Sequence, residues 1–306
     1  MLFRSANRID LNRSFPAYGT AYTDNWFNSD TLGESGCAVE IQNIMRWSSE
    51  NTFVLAANFH GGSTVVNYPY DHIPGIASGD PAICPDDNLF KNLSLRYSLY
   101  NTPMYESTEF TQGITNGSEW YSIQGSMQDW SYRFMGCDEV TIELADTKWP
   151  NASTLPQYWE ENRESMLTYL EGALIGVRGI VRDRRTASPV SAQVLVENNI
   201  QPVFSNPEVG NYHRLLLPGV YAMEWQADGY ISWRAEGVTV GSGEAVRVDV
   251  ALSNGDINAD GAVNAADIQL VVNAILGINT TVNADVDGLG TSATDVQAVI
   301  NKALGR

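Results

Sequence analysis

The segment 254–306 constrains the fold more tightly than any other stretch. It holds two units, each an Asp/Asn/Gly loop followed by an amphipathic helix. The first loop reads Asp256-Ile257-Asn258-Ala259-Asp260-Gly261-Ala262-Val263-Asn264-Ala265-Ala266-Asp267. Side-chain oxygens fall at loop positions 1, 3, 5, 9 and 12, and Gly at position 6 permits a sharp turn. Ala262, at position 7, offers its carbonyl. This is the spacing of a twelve-residue Ca²⁺ loop, which surrounds a hard cation with oxygens. The helices follow with Ile268, Val271, Val272, Ile275 and Leu276, then Val296, Val299, Ile300, Ala303 and Leu304, at i, i+3, i+4, i+7, i+8. The second loop offers Asp285, Asp287 and Asp295. Leu289 stands where an oxygen belongs and Asp295 arrives one residue early, so weaker calcium binding, or none, is expected there.

Upstream the texture changes twice. Residues 40–47 place Ile41, Ile44, Met45 and Trp47 in a helical pattern. Residues 52–57 read as a short buried strand, and 139–144 alternate as a strand. Residues 155–174 set Trp159, Met166, Leu170 and Leu174 at helical spacing. Strands interleaved with helices predict an α/β domain. From Gly176 the runs 177–181, 192–196 and 245–250 read as strands between turn residues, which predicts a small β-sandwich. The expected architecture is an α/β domain with a mixed sheet over 1–175, a β-sandwich over 176–253 and an all-α pair of calcium-loop repeats over 254–306.

Charge narrows the function. The chain carries 36 acidic and 18 basic side chains, a net charge of −18. Sequence-independent nucleic-acid binding relies on Lys and Arg neutralising phosphates, so nucleic acid is excluded as a partner. No apolar run approaches the ~18–20 residues of a membrane span. Residues 1–7 lack the apolar stretch of a signal peptide. Cys37, Cys84 and Cys137 form no C-x-x-C pair and read as buried free thiols.

Candidate chemistry lies in four separated motifs. They are Asp10-Leu11-Asn12-Arg13-Ser14-Phe15-Pro16; Asn58-Phe59-His60-Gly61-Gly62, running on to Asn67-Tyr68-Pro69-Tyr70-Asp71; Gly113-Ile114-Thr115-Asn116-Gly117-Ser118-Glu119-Trp120-Tyr121, leading to Gly125-Ser126-Met127-Gln128-Asp129; and Glu139-Val140-Thr141-Ile142-Glu143-Leu144. In this order they resemble the zinc metallocarboxypeptidases of the carboxypeptidase A superfamily, in its N/E (regulatory) branch. Asn211-Tyr212-His213-Arg214-Leu215-Leu216-Leu217-Pro218-Gly219-Val220-Tyr221 resembles part of the transthyretin-like domain that follows the catalytic domain in that branch. The tail, with Asp closing its first loop and a helix after but none before, resembles a type I dockerin.

These resemblances imply roles. His60 matches a zinc ligand, and imidazole nitrogen suits Zn²⁺. Glu143 matches the general base that takes a proton from the attacking water and passes it to the leaving amine. Asn12 and Arg13 match the pair that holds the substrate's terminal carboxylate, for which the planar Arg fork is suited. Tyr121 matches the tyrosine that closes over substrate, and Asp71 the acid that selects a C-terminal Lys or Arg. Arg4 matches the arginine that stabilises the oxyanion, one residue closer to Asn12 than the family spacing. The dockerin resemblance implies calcium ligands at Asp256, Asn258, Asp260, Ala262, Asn264 and Asp267, with Asp285, Asp287 and Asp295 in the second loop, and a cohesin domain as partner. His72 and His213 read as structural or exposed.

One part of the family pattern is missing. Its other two zinc ligands come from an H-x-x-E motif upstream of the Asp10 stretch, and no H-x-x-E occurs in the 306 residues. The chain is therefore expected to be the C-terminal part of a longer, secreted protein. Two functions of different class follow. One is a secreted zinc-dependent carboxypeptidase removing C-terminal Lys or Arg from peptides, anchored by its tail. The other is a non-catalytic binding and anchoring protein that uses the sandwich and tail alone.

Overall fold

The computed structural model describes residues 9–20, 38–278 and 281–306. The chain gathers into two compact units, 1–175 and 176–306. No helix among the described residues is long and apolar enough to cross a membrane.

The first unit centres on four strands, β1 (Leu55–His60), β2 (Ser63–Tyr68), β3 (Ile114–Asn116) and β4 (Asp138–Ala145), in the order β1-β4-β2-β3. The sheet is mixed: β4 is parallel to β1 and antiparallel to β2, and β2 is parallel to β3. Central β4 is buried along nearly its whole length, which suits a strand covered on both faces. β1 departs from expectation. It begins at Leu55 rather than Thr52, runs on to His60 and is only half-buried, with Phe59 45% exposed. It has a neighbour on one side only among the described residues.

The described residues of this unit also form the helices α1 (Val39–Glu50), α2 (Asp87–Ser98), α3 (Thr102–Tyr105), α4 (Gly117–Trp120), α5 (Met127–Trp130) and α6 (Leu155–Glu171). α6 forms where apolar spacing predicts it but turns a different face inward. Asn162, Ser165 and Tyr169 are buried, while Trp159 and Leu170 are exposed, as is Leu174 just beyond its end. Asn162 Oδ1 accepts from the Tyr97 hydroxyl (2.7 Å) and Asn101 Nδ2 (2.9 Å), and the Tyr169 hydroxyl donates to the Ala56 carbonyl (2.7 Å). Satisfied polar contacts hold this helix in place, at positions that hydrophobic periodicity does not register.

The second unit begins with β5 (Val177–Asp183), β6 (Gln193–Val196), β7 (Asn199–Phe204), β8 (Asn211–Arg214), β9 (Gly219–Gln226), β10 (Trp233–Val240), β11 (Val246–Arg247) and β12 (Val250–Leu252). One sheet has the order β10-β9-β6-β7. The other has β11-β5-β12, with β8 also paired to β5. Val177, Val181, Val194, Trp225 and Leu252 are fully buried in the core of this sandwich. Helices α7 (Ala265–Ile275) and α8 (Ala293–Ala303) follow the two Asp-rich loops. Val271 and Val299 occupy equivalent places in a small core with Ala284 and Val286, and Ile231 from the sandwich packs against it. Sequence texture separates 176–253 from 254–306, but packing joins them in one unit.

Candidate active site and calcium loops

β1 and β4 run parallel in register, so His60 at the end of β1 stands opposite Glu143. Their side chains approach to 3.8 Å between Nδ1 and Oε1. Burial pushes the Glu143 carboxyl up to about 7, with the Lys148 charge pulling it back. Its Oε2 is buried with no hydrogen-bond partner among the described residues. Burial and then the Arg13 charge lower the His60 pKa, which favours the neutral, metal-donating imidazole. The Lys148 stem crosses directly over Gly62, where an added Cβ would fall 2.7 Å from Lys148 Cε.

The Asn12–Arg13 turn is docked against the loop that leads into α5. Asp10 Oδ1 accepts from the Asn12 amide (3.2 Å), Asn12 Oδ1 accepts from the Met127 amide (2.9 Å) and the Phe15 amide donates to the Gly125 carbonyl (3.1 Å). Arg13 Nη1 donates to the Asn12 carbonyl (2.8 Å). From there its charge acts on His60, Asp71 and Tyr121.

Asp71 is almost fully buried in the turn after β2. Its Oδ1 accepts from Asn67 Nδ2 (3.1 Å), whose own Oδ1 accepts from Gln128 Nε2 (3.3 Å). Any Cβ on Gly117 would overlap Asp71 Oδ1, so the carboxylate lies against bare backbone. Oδ2 has no hydrogen-bond partner among the described residues. Burial raises the Asp71 pKa to about 6, against the opposing pull of Ser126, Asn67, Arg13 and Gln128. A second buried carboxylate fixes the turn: Asp129 accepts from the amides of Asp71 (2.8 Å) and His72 (3.1 Å). Burial, then the Asp71 charge, hold the Asp129 pKa well above the usual carboxylate range. Tyr121 follows α4 and is partly exposed. Burial raises its pKa, the Arg13 charge opposes this, and Glu143 and Asp71 add to it.

The structure thus brings Asn12, Arg13, His60, Asp71, Tyr121 and Glu143 together from four separated motifs. Arg4 and Cys37 lie outside the described residues. His72 Nδ1 pairs with Ser122 Oγ at 2.9 Å, and His213 sits on β8 opposite Arg178 in the other unit. Cys84 and Cys137 are buried and free. Sequence reasoning missed the supporting parts played by Gln128, Asp129 and Lys148. A carboxylate between Met127 and Trp130, inside the third motif, was the available signal for Asp129.

A catalytic zinc ordinarily takes three protein ligands. His60 is one. Among the described residues the only gathering of three or more metal-donor side chains is Asp285, Asp287 and Asp295 in the tail. The residues present at His60 therefore do not by themselves fit a zinc centre.

The two Asp-rich loops are built from main-chain amides folded around carboxylates. Asp267 Oδ1 accepts from the amides of Ile257 (2.7 Å) and Asn258 (3.1 Å), and its Oδ2 from Asn264 (2.9 Å). Asp295 repeats this with Val286 (2.6 Å), Asp287 (3.4 Å) and Ser292 (2.8 Å). Asp256 accepts from the amides of Asp260 (3.1 Å) and Gly261 (2.9 Å), with Gly261 at φ +93° supplying the turn. In the second loop the Leu289 side chain is exposed and its amide donates to Asp287 Oδ1 (2.9 Å). Oxygens from Asp285, Asp287 and Asp295 still lie within 4.8 Å of one another. The loop closes without an oxygen at 289 and gathers its acids more tightly than its sequence suggests. All-oxygen, carboxylate-rich donor sets of this kind fit Ca²⁺.

Comparison with known proteins gives the family. The model of the zinc carboxypeptidase family matches residues 3–165, more than half of the 306. The chain belongs to the zinc carboxypeptidase family. The type I dockerin domain matches residues 254–304. Carboxypeptidase D of Anas platyrhynchos is 37% identical over 254 residues, covering 79% of this chain and 18% of that protein. The carboxypeptidase N catalytic chain of Mus musculus is 36% identical over 270 residues, covering 81% of this chain and 58% of that one. The match thus spans less than two thirds of either carboxypeptidase relative. The carboxypeptidase A structure from Helicoverpa armigera is 16% identical, with a TM-score of 0.37, covering 55% of this chain and 43% of that one.

Proposed function

We propose that this carboxypeptidase domain serves removal of C-terminal Lys or Arg from peptides, in a secreted protein anchored through its tail. The observation that carries the reading is Asp71, a buried carboxylate with one oxygen that has no hydrogen-bond partner among the described residues. Such an oxygen is costly to keep, and a substrate ammonium or guanidinium would satisfy it. Arg13 and Asn12 would hold the terminal carboxylate, and Tyr121, on the exposed rim, would close over it. Glu143, with its pKa near neutrality, is suited to take the proton of the attacking water and return it to the leaving amine. Water then adds to the peptide carbonyl, the C–N bond breaks, and a shortened peptide and a free basic amino acid leave. Zinc would reach His60 only with two further donors from outside the described set, so none of these roles is assigned to it.

The sandwich is proposed to be the transthyretin-like module of the N/E branch, as its 211–221 stretch suggests. For the tail we propose calcium-dependent docking to a cohesin domain. The single imidazole at the front site also supports a second reading, a binding and anchoring protein without catalysis. Zinc analysis together with hippuryl-arginine hydrolysis separates the two. One zinc per chain with turnover supports the carboxypeptidase. An enzyme containing this domain together with the two further donors that still holds no zinc and shows no turnover, yet captures a cohesin domain in calcium, supports anchoring alone.

A further inference from the structure

The second calcium loop is seated on the sandwich by its main chain. Arg184, just beyond β5, is itself anchored: its amide donates to the Leu252 carbonyl (2.8 Å) and Nε to the Ala251 carbonyl (3.3 Å). From that base Nη1 donates to the Asp285 carbonyl. The Arg234 amide on β10 donates to the Asp287 carbonyl (2.7 Å). Gly288, at φ +86°, lies against the Trp233 indole so closely that a Cβ would fall 2.4 Å from Cε2. These contacts fix the backbone at 285, 287 and 288, where two of the three gathered carboxylates arise. The neighbouring arginine meets the first loop differently. Arg185 reaches Asp256 Oδ2 at 3.4 Å through a side chain that is 47% exposed.

We infer that Arg184, Trp233 and Arg234 of the sandwich position the second loop for Ca²⁺ and supply the geometry that Leu289 and the missing residue deny it. The inference rests on reading the tail as calcium-binding. A loop whose backbone is already fixed avoids the ordering cost of binding. The first loop carries its own full set of oxygens and does not need this help.

Arg184 allows a sign-specific test. Its positive charge opposes Ca²⁺, so removing the charge alone would tighten binding, whereas losing its hold on Asp285 weakens it. Calcium is titrated calorimetrically into the full chain and into Arg184→Met, which keeps the apolar stem. Terbium distinguishes the loops, because the Trp233 indole against Gly288 places an antenna beside the second loop, and Asp287→Ala identifies the signal that comes from it. The expected result is about a 10-fold loss of second-loop affinity in Arg184→Met, the scale of one hydrogen bond from a charged group, with the first loop unchanged as an internal control. In the unmodified chain, calcium should also slow amide exchange at 233–235. Equal or tighter second-loop binding in Arg184→Met, or protection confined to 254–304, would overturn the inference. Absence of Ca²⁺ and Tb³⁺ binding by the unmodified chain would instead overturn the calcium reading of the tail, and the inference with it.

Discussion

In the calcium loops, Asp267 and Asp295 each accept three main-chain amides. In the front site, Asp71 and Glu143 each keep one buried oxygen without a partner among the described residues. Both regions bury carboxylates, yet the settings are opposite. The loop acids are satisfied by the fold and organise it. The site acids are held at a cost that the fold relieves only in part, through Asn67 at Asp71 and the Lys148 charge at Glu143, and their pKa values rise to about 6 and about 7.

That contrast is tested first at Glu143. In the zinc-loaded enzyme containing this domain, Glu143→Gln should lower hippuryl-arginine hydrolysis on the order of 10³-fold while zinc content stays constant. Normal turnover would remove Glu143 as the base. Asp71→Gly should erase about 100-fold of the preference for C-terminal Arg over a neutral residue, as expected for losing a charge-assisted contact. Paired kcat/KM values on the two substrates measure it, and an unchanged ratio would refute the assignment.

On the other side of the comparison, Asp295→Ala should cost about 2–3 kcal/mol in the second unit without calcium, because three amides lose their acceptor. Urea unfolding followed within 176–306 provides the measurement.

A further effect concerns pH. Folding raises the Asp71 pKa from 3.8 to about 6, so its contribution to stability is fully present below about 3.8 and is lost as pH rises through about 6. Asp71→Asn should therefore stabilise the fold at pH 8 by up to about 3 kcal/mol, at roughly 1.4 kcal/mol per pKa unit, and have little effect near pH 3.5. The opposite sign would show that the carboxylate is satisfied in some other way. By the same titration, preference for basic C-termini should weaken as pH falls below about 6.

Local signals carried much of this to the reader of the sequence. The loop-and-helix repeats were legible because calcium ligation and amphipathic spacing are both short-range, and α7 and α8 follow at once from their loops. The strand bearing Glu143 was legible because apolar alternation is a local property. His60 opposite Glu143 was not, since strand pairing joins residues far apart in sequence. The buried face of α6 was hidden for another reason: Asn162 and Tyr169 are chosen for hydrogen bonds, which no apolar period reports. The seating of the second loop on Trp233 and Arg234 was equally invisible, because its own sequence reads only as a defective copy of the first.

The most direct test of the central claim compares kcat/KM for hippuryl-arginine and hippuryl-phenylalanine at pH 7.5, in zinc-loaded enzyme containing this domain. A preference for arginine of about 100-fold or more, abolished by Asp71→Gly, is predicted. Equal hydrolysis of the two substrates, or faster release of phenylalanine, would contradict the account.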